Sequence, residues 1–327
     1  RAVGRAGAAR ARRPPPPPRP RRRPAPPPPP PPARRAGPRR LLIRTEAHAM
    51  PTPFATSEPA FRFRQGTRPL LISMPHVGTH VPPALAERLT PEARHVPDTD
   101  WHLDQLYRFA DELGASVLMA THSRYVIDLN RPPDGASLYP GQSVTGLCPV
   151  DTFDDTPLYA DPAHAPTDSE IAARREAVWR PYHAQLAQEL ERLRAEHGVA
   201  VLWDAHSIRS VLPRFFEGKL PDLNLGTADG TSCDPALAAQ LLAIAQSNPA
   251  YSGVLNGRFK GGHITRHYGR PADNIHAVQL EMTQCSYMQE ALPFGYLPEV
   301  AAGIQPQVRQ MLEAVLRFAQ QRAAASA

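Results

Sequence analysis

Short apolar runs recur along this chain with helix-period segments between them, and that alternation constrains the fold more than any single motif. Pro69–Met74, Ala115–Ala120, Tyr125–Leu129, Val199–Trp203 and Ala277–Glu281 each read as a buried strand. Between them, Asp100–Gly114 carries apolar residues at helical spacing, with Gly114 placed as a C′ cap. Thr167 and Glu170 form a capping-box pattern opening a helix that runs to about His197, stopped by Gly198 and kinked or split at Pro181. Asp234–Gln246 and residues 298–322 also read as helices. Strands alternating with helices predict an α/β fold: a three-layer α/β/α sandwich around a mainly parallel, mixed sheet. In such folds the chemistry sits just beyond the carboxyl ends of the strands.

Two domains of unequal character are expected within the 327 residues. Residues 1–49 are rich in Arg and Pro and cannot bury enough apolar surface to offset their ordering entropy, so they read as a disordered tail. A second reading is that the natural protein starts at Met50, the first methionine. Residues 50–327 read as the catalytic domain, with order beginning near Phe61. Residues 131–166 are rich in Pro, Gly and Asp, a long loop of the kind that often serves as a lid. The net charge of +6 points at first to nucleic acid. Residues 1–50, however, carry fourteen arginines against the single acid Glu46, so removing their +13 leaves −7 for residues 51–327. A mildly acidic body offers no field for a polyanion. No apolar run reaches bilayer-spanning length, so no membrane partner is expected. Three dispersed cysteines, Cys148, Cys233 and Cys285, fit a reducing, cytoplasmic setting.

Polar motifs cluster at the ends of the expected strands. Pro75-His76-Val77-Gly78-Thr79-His80 follows the first, Asp128-Leu129-Asn130-Arg131 another, and Asp204-Ala205-His206-Ser207 a third, while Glu281 closes Val278-Gln279-Leu280-Glu281. Asp98-Thr99-Asp100-Trp101-His102 opens a helix. Two histidines and one or two carboxylates converging from separate strand ends give the three N/O ligands of a catalytic zinc site, with a further carboxylate as general base. Read singly, each is ordinary. His76 is also a turn histidine, Asp98 or Asp100 an N-cap, and Asp204 a carboxylate that orients the imidazole of His206. His263 and His267, after Gly261-Gly262, also read as solvated loop residues. Glu281 is the least ordinary, because an acid inside an apolar strand is costly without a partner.

Taken together, Ser73-Met74-Pro75-His76-Val77-Gly78, Asp98-Thr99-Asp100-Trp101, Ser123–Arg131, Asp204-Ala205-His206-Ser207, Gly261–Arg266 and Gln279-Leu280-Glu281-Met282 resemble the N-formylglutamate amidohydrolase family, over about residues 65–295. That family is related in fold to zinc carboxypeptidases and aspartoacylase-like deacylases. The resemblance implies hydrolysis of N-formyl-L-glutamate, a small-molecule substrate, to formate and glutamate at the end of a histidine-degradation route. It implies metal ligands at His76 and His206, a divalent ion, zinc first, and Glu281 as catalytic base. Those relatives carry a metal Glu three residues after the first His, where this chain has Thr79, so the third ligand falls to Asp100 first and His80 second. A dicarboxylate substrate needs cationic clamps, and Arg pairs bidentately with carboxylates. Arg124, Arg131 and Arg266 are the candidates, beside Asn130, with an Arg or His263 at the tetrahedral oxyanion. A deacylase or carboxypeptidase of another N-acyl amino acid uses the same machinery. A non-enzymatic scaffold whose Pro/Arg arm binds SH3-like domains or RNA is the reading from a different class.

Overall fold

The computed structural model describes residues 54, 56–137 and 144–326. The Arg/Pro-rich tail and residues 138–143 of the expected lid lie outside them. Among the described residues seven strands form one sheet: β1 (Phe61–Arg64), β2 (Leu70–Met74), β3 (Ser116–Ala120), β4 (Ala200–Ile208), β5 (Leu223–Gly226), β6 (Gly253–Leu255) and β7 (Ile275–Thr283). Their order across the sheet is β1-β3-β2-β4-β7-β5-β6. β3, β2, β4 and β7 run parallel, while β1 and β5 pair antiparallel to β3 and β7. The sheet is therefore mixed with a parallel centre, as expected.

Helices cover both faces, giving three layers. Along β2, β4 and β7, Leu70, Ile72, Val201, Trp203, Val278 and Leu280 face one core, packed by α2 (Leu103–Leu106), α5 (Pro235–Ala245) and α7 (Pro298–Ser326). The alternate residues, Leu71, Ala200, Leu202, Ile275 and Ala277, face a second core, packed by α1 (Pro83–Ala86), α4 (Arg180–His197) and α6 (His263–Tyr268). Strands buried on both faces read as continuous apolar runs, which is why the sequence showed them.

Three elements differ from expectation, each for a physical reason, while the long helix is split near Pro181 as expected. Tyr125–Leu129 is a buried turn rather than a strand. Its polar backbone is satisfied outside any ladder: Asp128 N–H donates to Leu147 O (2.7 Å), and the carbonyls of Val126 and Leu129 accept from Arg174 (2.9 Å) and His183 (2.8 Å). The helix expected over Asp100–Gly114 is broken, because His102 adopts φ 62 and only Leu103–Leu106 and a 3₁₀ turn at Arg108–Ala110 follow; Gly114, at φ 67, does end it. The long helix opens on Thr167, whose side chain caps Glu170 N–H, as α3 (Asp168–Arg174). A π-helical turn, Arg175–Trp179, then leads into α4, with Pro181 in its first turn. The missing proline N–H thus splits the helix without ending it. Finally, β4 continues to Ile208, so Asp204-Ala205-His206-Ser207 lies within the strand and not beyond it.

Candidate active site

The two-residue alternation of the central strands places the site. On the face occupied lower down by Leu202 and Ala277, the next inward positions toward the carboxyl ends are Asp204 and His206 on β4 and Gln279 and Glu281 on β7. His206 is in register with Glu281 on the adjacent strand. β2 stops earlier and turns at Pro75, delivering His76 beside them, with the two imidazole centroids 4.9 Å apart. Asp100 enters from the segment before α2, its backbone N–H donating to His76 O (3.0 Å).

His76, Asp100 and His206 form a buried group whose ligand atoms all lie within 4.8 Å of one another. Asp100 Oδ2 lies 3.1 Å from His206 Nδ1 and 3.7 Å from His76 Nδ1. The far nitrogens are held by other carboxylates: His76 Nε2–H donates to Asp128 Oδ1 (2.7 Å), and His206 Nε2 sits 3.2 Å from Asp204 Oδ1. Each imidazole thus carries a carboxylate behind it and turns Nδ1 to a common point, the arrangement that orients metal-bound histidines. Charge agrees. Asp100, Asp128, Asp204 and Glu281 are buried against the cations Arg124 and Arg131, an acidic excess that a divalent cation would offset. Without one, burial, with Asp100 and Asp204 nearby, pushes the Glu281 carboxyl up to about 8, although His206 and Arg124 act the other way. Burial opposes charge on both histidines. Asp204 and Asp100 override it at His206, which is raised well above its ordinary value, whereas burial and Arg124 hold His76 below it. Two imidazoles, a carboxylate and an adjacent base fit a zinc-type centre.

An open cavity of about 620 Å³ leads to this group, lined by His76, His206 and Glu281 together with Arg124, Asn130, Arg131, Arg258, Gln279 and the aromatic rings of Phe153, Phe215 and Phe259. Arg124 is buried, donates to Asp128 Oδ2 (2.6 Å) and lies over the Phe153 ring (4.6 Å). Arg131 is steadied by Thr145 through its carbonyl (2.9 Å) and hydroxyl (3.1 Å). Asn130 lines the cavity, but its amide is a brace: Oδ1 accepts from Ile264 N–H (2.8 Å) and Nδ2 is 3.0 Å from His206 Nε2. Gly262 packs against that amide so closely that a Cβ would stand 2.3 Å from it. Gln279 ties this loop to the base, accepting from Gly262 N–H (2.8 Å) and donating to Glu281 Oε2 (3.2 Å).

Three expected residues lie elsewhere. His80 faces His122, ring centroids 5.0 Å apart, and does not join the donor group. Its strand-like bridge to His122 carries it away from Asp100. His263 begins α6, and its ring packs among Trp179, His183 and His267, outside the cavity lining. Burial pulls it down to about 4, so it is neutral near pH 7. Arg266 folds back on its own loop, donating to Gly261 O (2.9 Å), and does not line the cavity. Asp128 and Arg258 are the residues that sequence reasoning passed over. Asp128 stood in a quoted motif, while Arg258 precedes the Gly261-Gly262 loop with no periodicity to mark it.

The model of the N-formylglutamate amidohydrolase family matches residues 68–288. The chain belongs to that family. N-formylglutamate deformylases of Pseudomonas aeruginosa and Pseudomonas putida are each 54% identical to it over 260 residues, covering 80% of this chain and 97% of theirs. The crystal structure of N-formylglutamate amidohydrolase from Ralstonia eutropha JMP134 superposes with a TM-score of 0.68 at 26% identity, covering 81% of this chain and 98% of that one. A protein of Agrobacterium tumefaciens shares the fold, with a TM-score of 0.59 at 17% identity over 80% of this chain and 96% of that one. As a family member the chain is a hydrolase of a linear amide bond, and the cavity above the β4 and β7 ends is where this family member carries its acidic, histidine-rich group.

Proposed function

We propose that the protein hydrolyses N-formyl-L-glutamate to formate and L-glutamate, the closing reaction of a histidine-degradation route, in a metal-dependent way. One observation carries the metal reading: His76, Asp100 and His206 present three donors to one point, with Glu281 in register beside His206. A divalent ion held there, zinc by its ligand preference, would polarise the formyl oxygen and acidify a water. Glu281, raised toward neutrality by burial, takes the proton of the attacking water and hands it to the departing amine nitrogen. Arg124 is anchored to the His76 side of the site through Asp128 and faces the charge that develops on the formyl oxygen. Arg131, braced by Thr145, pairs with the α-carboxylate. The three cysteines, none of them disulfide-bonded, fit a cytoplasmic location.

The test is metal analysis alongside a formate-release assay on the wild type, His76→Ala and His206→Ala. The wild type should hold one equivalent of divalent metal and prefer an acidic side chain, and either variant should lose both metal and activity. Full activity in metal-free protein would overturn the mechanism.

A further inference from the structure

Gln279 is buried on β7 two residues before Glu281, on the same inward face. One step lower that face carries Ala277, and a buried carboxamide is costly unless its polar atoms are bonded. Both ends are. Gly262 N–H can only donate, so the atom 2.8 Å from it is the Gln279 oxygen, and the bond itself fixes which way the amide points. The nitrogen then faces Glu281 and donates to Oε2 at 3.2 Å. Gly262 has little freedom to release that oxygen. A Cβ on it would stand 2.3 Å from the Asn130 amide. A Cβ on Gly226, which lies opposite Gln279 on β5, would stand 2.6 Å from Gly261 N. The Gly261-Gly262 loop is thus wedged between β5 and Asn130, with the Gly262 N–H held on Gln279.

This amide, set by the backbone, reaches a carboxylate that has a direction to keep. The last torsion of a glutamate side chain is broad and has no strong preference of its own. A base that takes a proton from one atom and delivers it to another needs that torsion fixed, because proton transfer requires hydrogen-bond geometry at each end. We propose that Gln279 is a positioning residue, which holds Glu281 Oε2 and so aims the other oxygen, Oε1, at the attacking water and the departing nitrogen. The inference rests on the reading of Glu281 as the base in N-formylglutamate hydrolysis. Gln279 stands on the same strand as Glu281, so its hold does not depend on what occupies the cavity.

A double-mutant cycle tests this, reading kcat and KM for formate release from N-formylglutamate and the metal bound by each protein. Gln279→Met keeps the length of the side chain and removes the donor. A hydrogen bond lost from a charged group corresponds to about tenfold to a hundredfold. The variant's kcat should fall by about that factor, with metal content unchanged and KM within about twofold of the wild type. In the Glu281→Gln background the same substitution should cost no more than about twofold, because the carboxylate it aims is gone. Gln279→Glu keeps the acceptor for Gly262 N–H and sets a second carboxyl against Oε2, which separates loss of the donor from loss of the loop contact. Its kcat should fall at least as far as that of Gln279→Met. An equal loss in both backgrounds, a rise in KM with kcat intact, or Gln279→Glu at the wild-type rate overturns the assignment and leaves the deformylase reading standing. A wild type that releases no formate from N-formylglutamate overturns both.

Discussion

Asp128 receives His76 Nε2–H on one oxygen and Arg124 on the other, and its first oxygen also accepts Asn130 N–H (2.8 Å). One carboxylate thus fixes the His76 imidazole, the proposed metal ligand, and the Arg124 guanidinium, the proposed oxyanion partner, together. Asp128→Asn keeps the shape but has one oxygen for two side-chain donors. Activity and metal affinity should fall by about 10–100-fold, the usual scale for losing such a support, read by metal titration and kcat/KM. Glu281→Gln tests a different role. It keeps the register with His206 and removes basicity, so kcat should drop at least about a hundredfold with metal content unchanged. Metal loss as well would make Glu281 a ligand. His76, His206 and Glu281, which the fold brings together, stood out in the sequence because each interrupts or ends an apolar run. Asp100 opens an expected helix and was singled out as a ligand only through the resemblance, which left a third ligand open at Thr79. Arg258 was not legible, because a cation in a loop is ordinary until the fold brings Phe215 beside it.

Among the elements, β2, β3, β4 and β7 were visible in the sequence because strands buried on both faces are continuous apolar runs. β5 and β6 were not: four residues (LNLG) and three (GVL) fall below any period, and they exist by pairing with β7 and with each other. Tyr125–Leu129 misled for the complementary reason, an apolar run whose carbonyls are satisfied by side chains of distant helices. One of these, His183 on α4, donates to Leu129 O and has Nδ1 2.9 Å from Tyr268 Oη on α6. Burial, reinforced by His263 and His267, pulls it from 6.5 down to about 3, against the Leu129 bond that favours charge. The folded value lies below the unfolded one, so the unfolded chain binds the proton first. Stability is therefore full above pH 6.5 and is lost as pH falls toward 3. At about 1.4 kcal/mol per unit, the loss is roughly 2 kcal/mol at pH 5. His183→Asn should be less stable than wild type at pH 7, and urea midpoints should show that gap narrowing by about this amount at pH 5. A constant gap would mean that His183 does not titrate on unfolding.

On the scale of the whole molecule, the family match starts at residue 68 and the described body holds both cores and the cavity. Residues 1–49 have a composition that cannot supply a core. A chain beginning at Met50 should keep the full-length melting temperature and kcat, and a large loss in either would show that those residues pack on the body. No helix among the described residues is long and apolar enough to cross a membrane. The remaining global lever is the charge buried at the sheet's centre. β4 and β7 carry Asp204 and Glu281 into the interior, and loops add Asp100 and Asp128, with Arg124 and Arg131 as the facing cations. A fold that concentrates acids there favours protonation, burial raising the Glu281 carboxyl, and a divalent cation at the proposed site would relieve it. Metal should therefore stabilise the whole domain as well as enable chemistry. Binding only the folded state at a thousandfold excess over Kd contributes about 4 kcal/mol, on the order of 10 °C in melting temperature for a body of this size. Calorimetry of chelated protein should show a drop of that order together with loss of formate release. Adding back zinc should restore both, in proportion to the metal bound. Activity returning without the melting shift would mean that the ion binds both states alike, and the charge argument would then fail even with the metal mechanism intact.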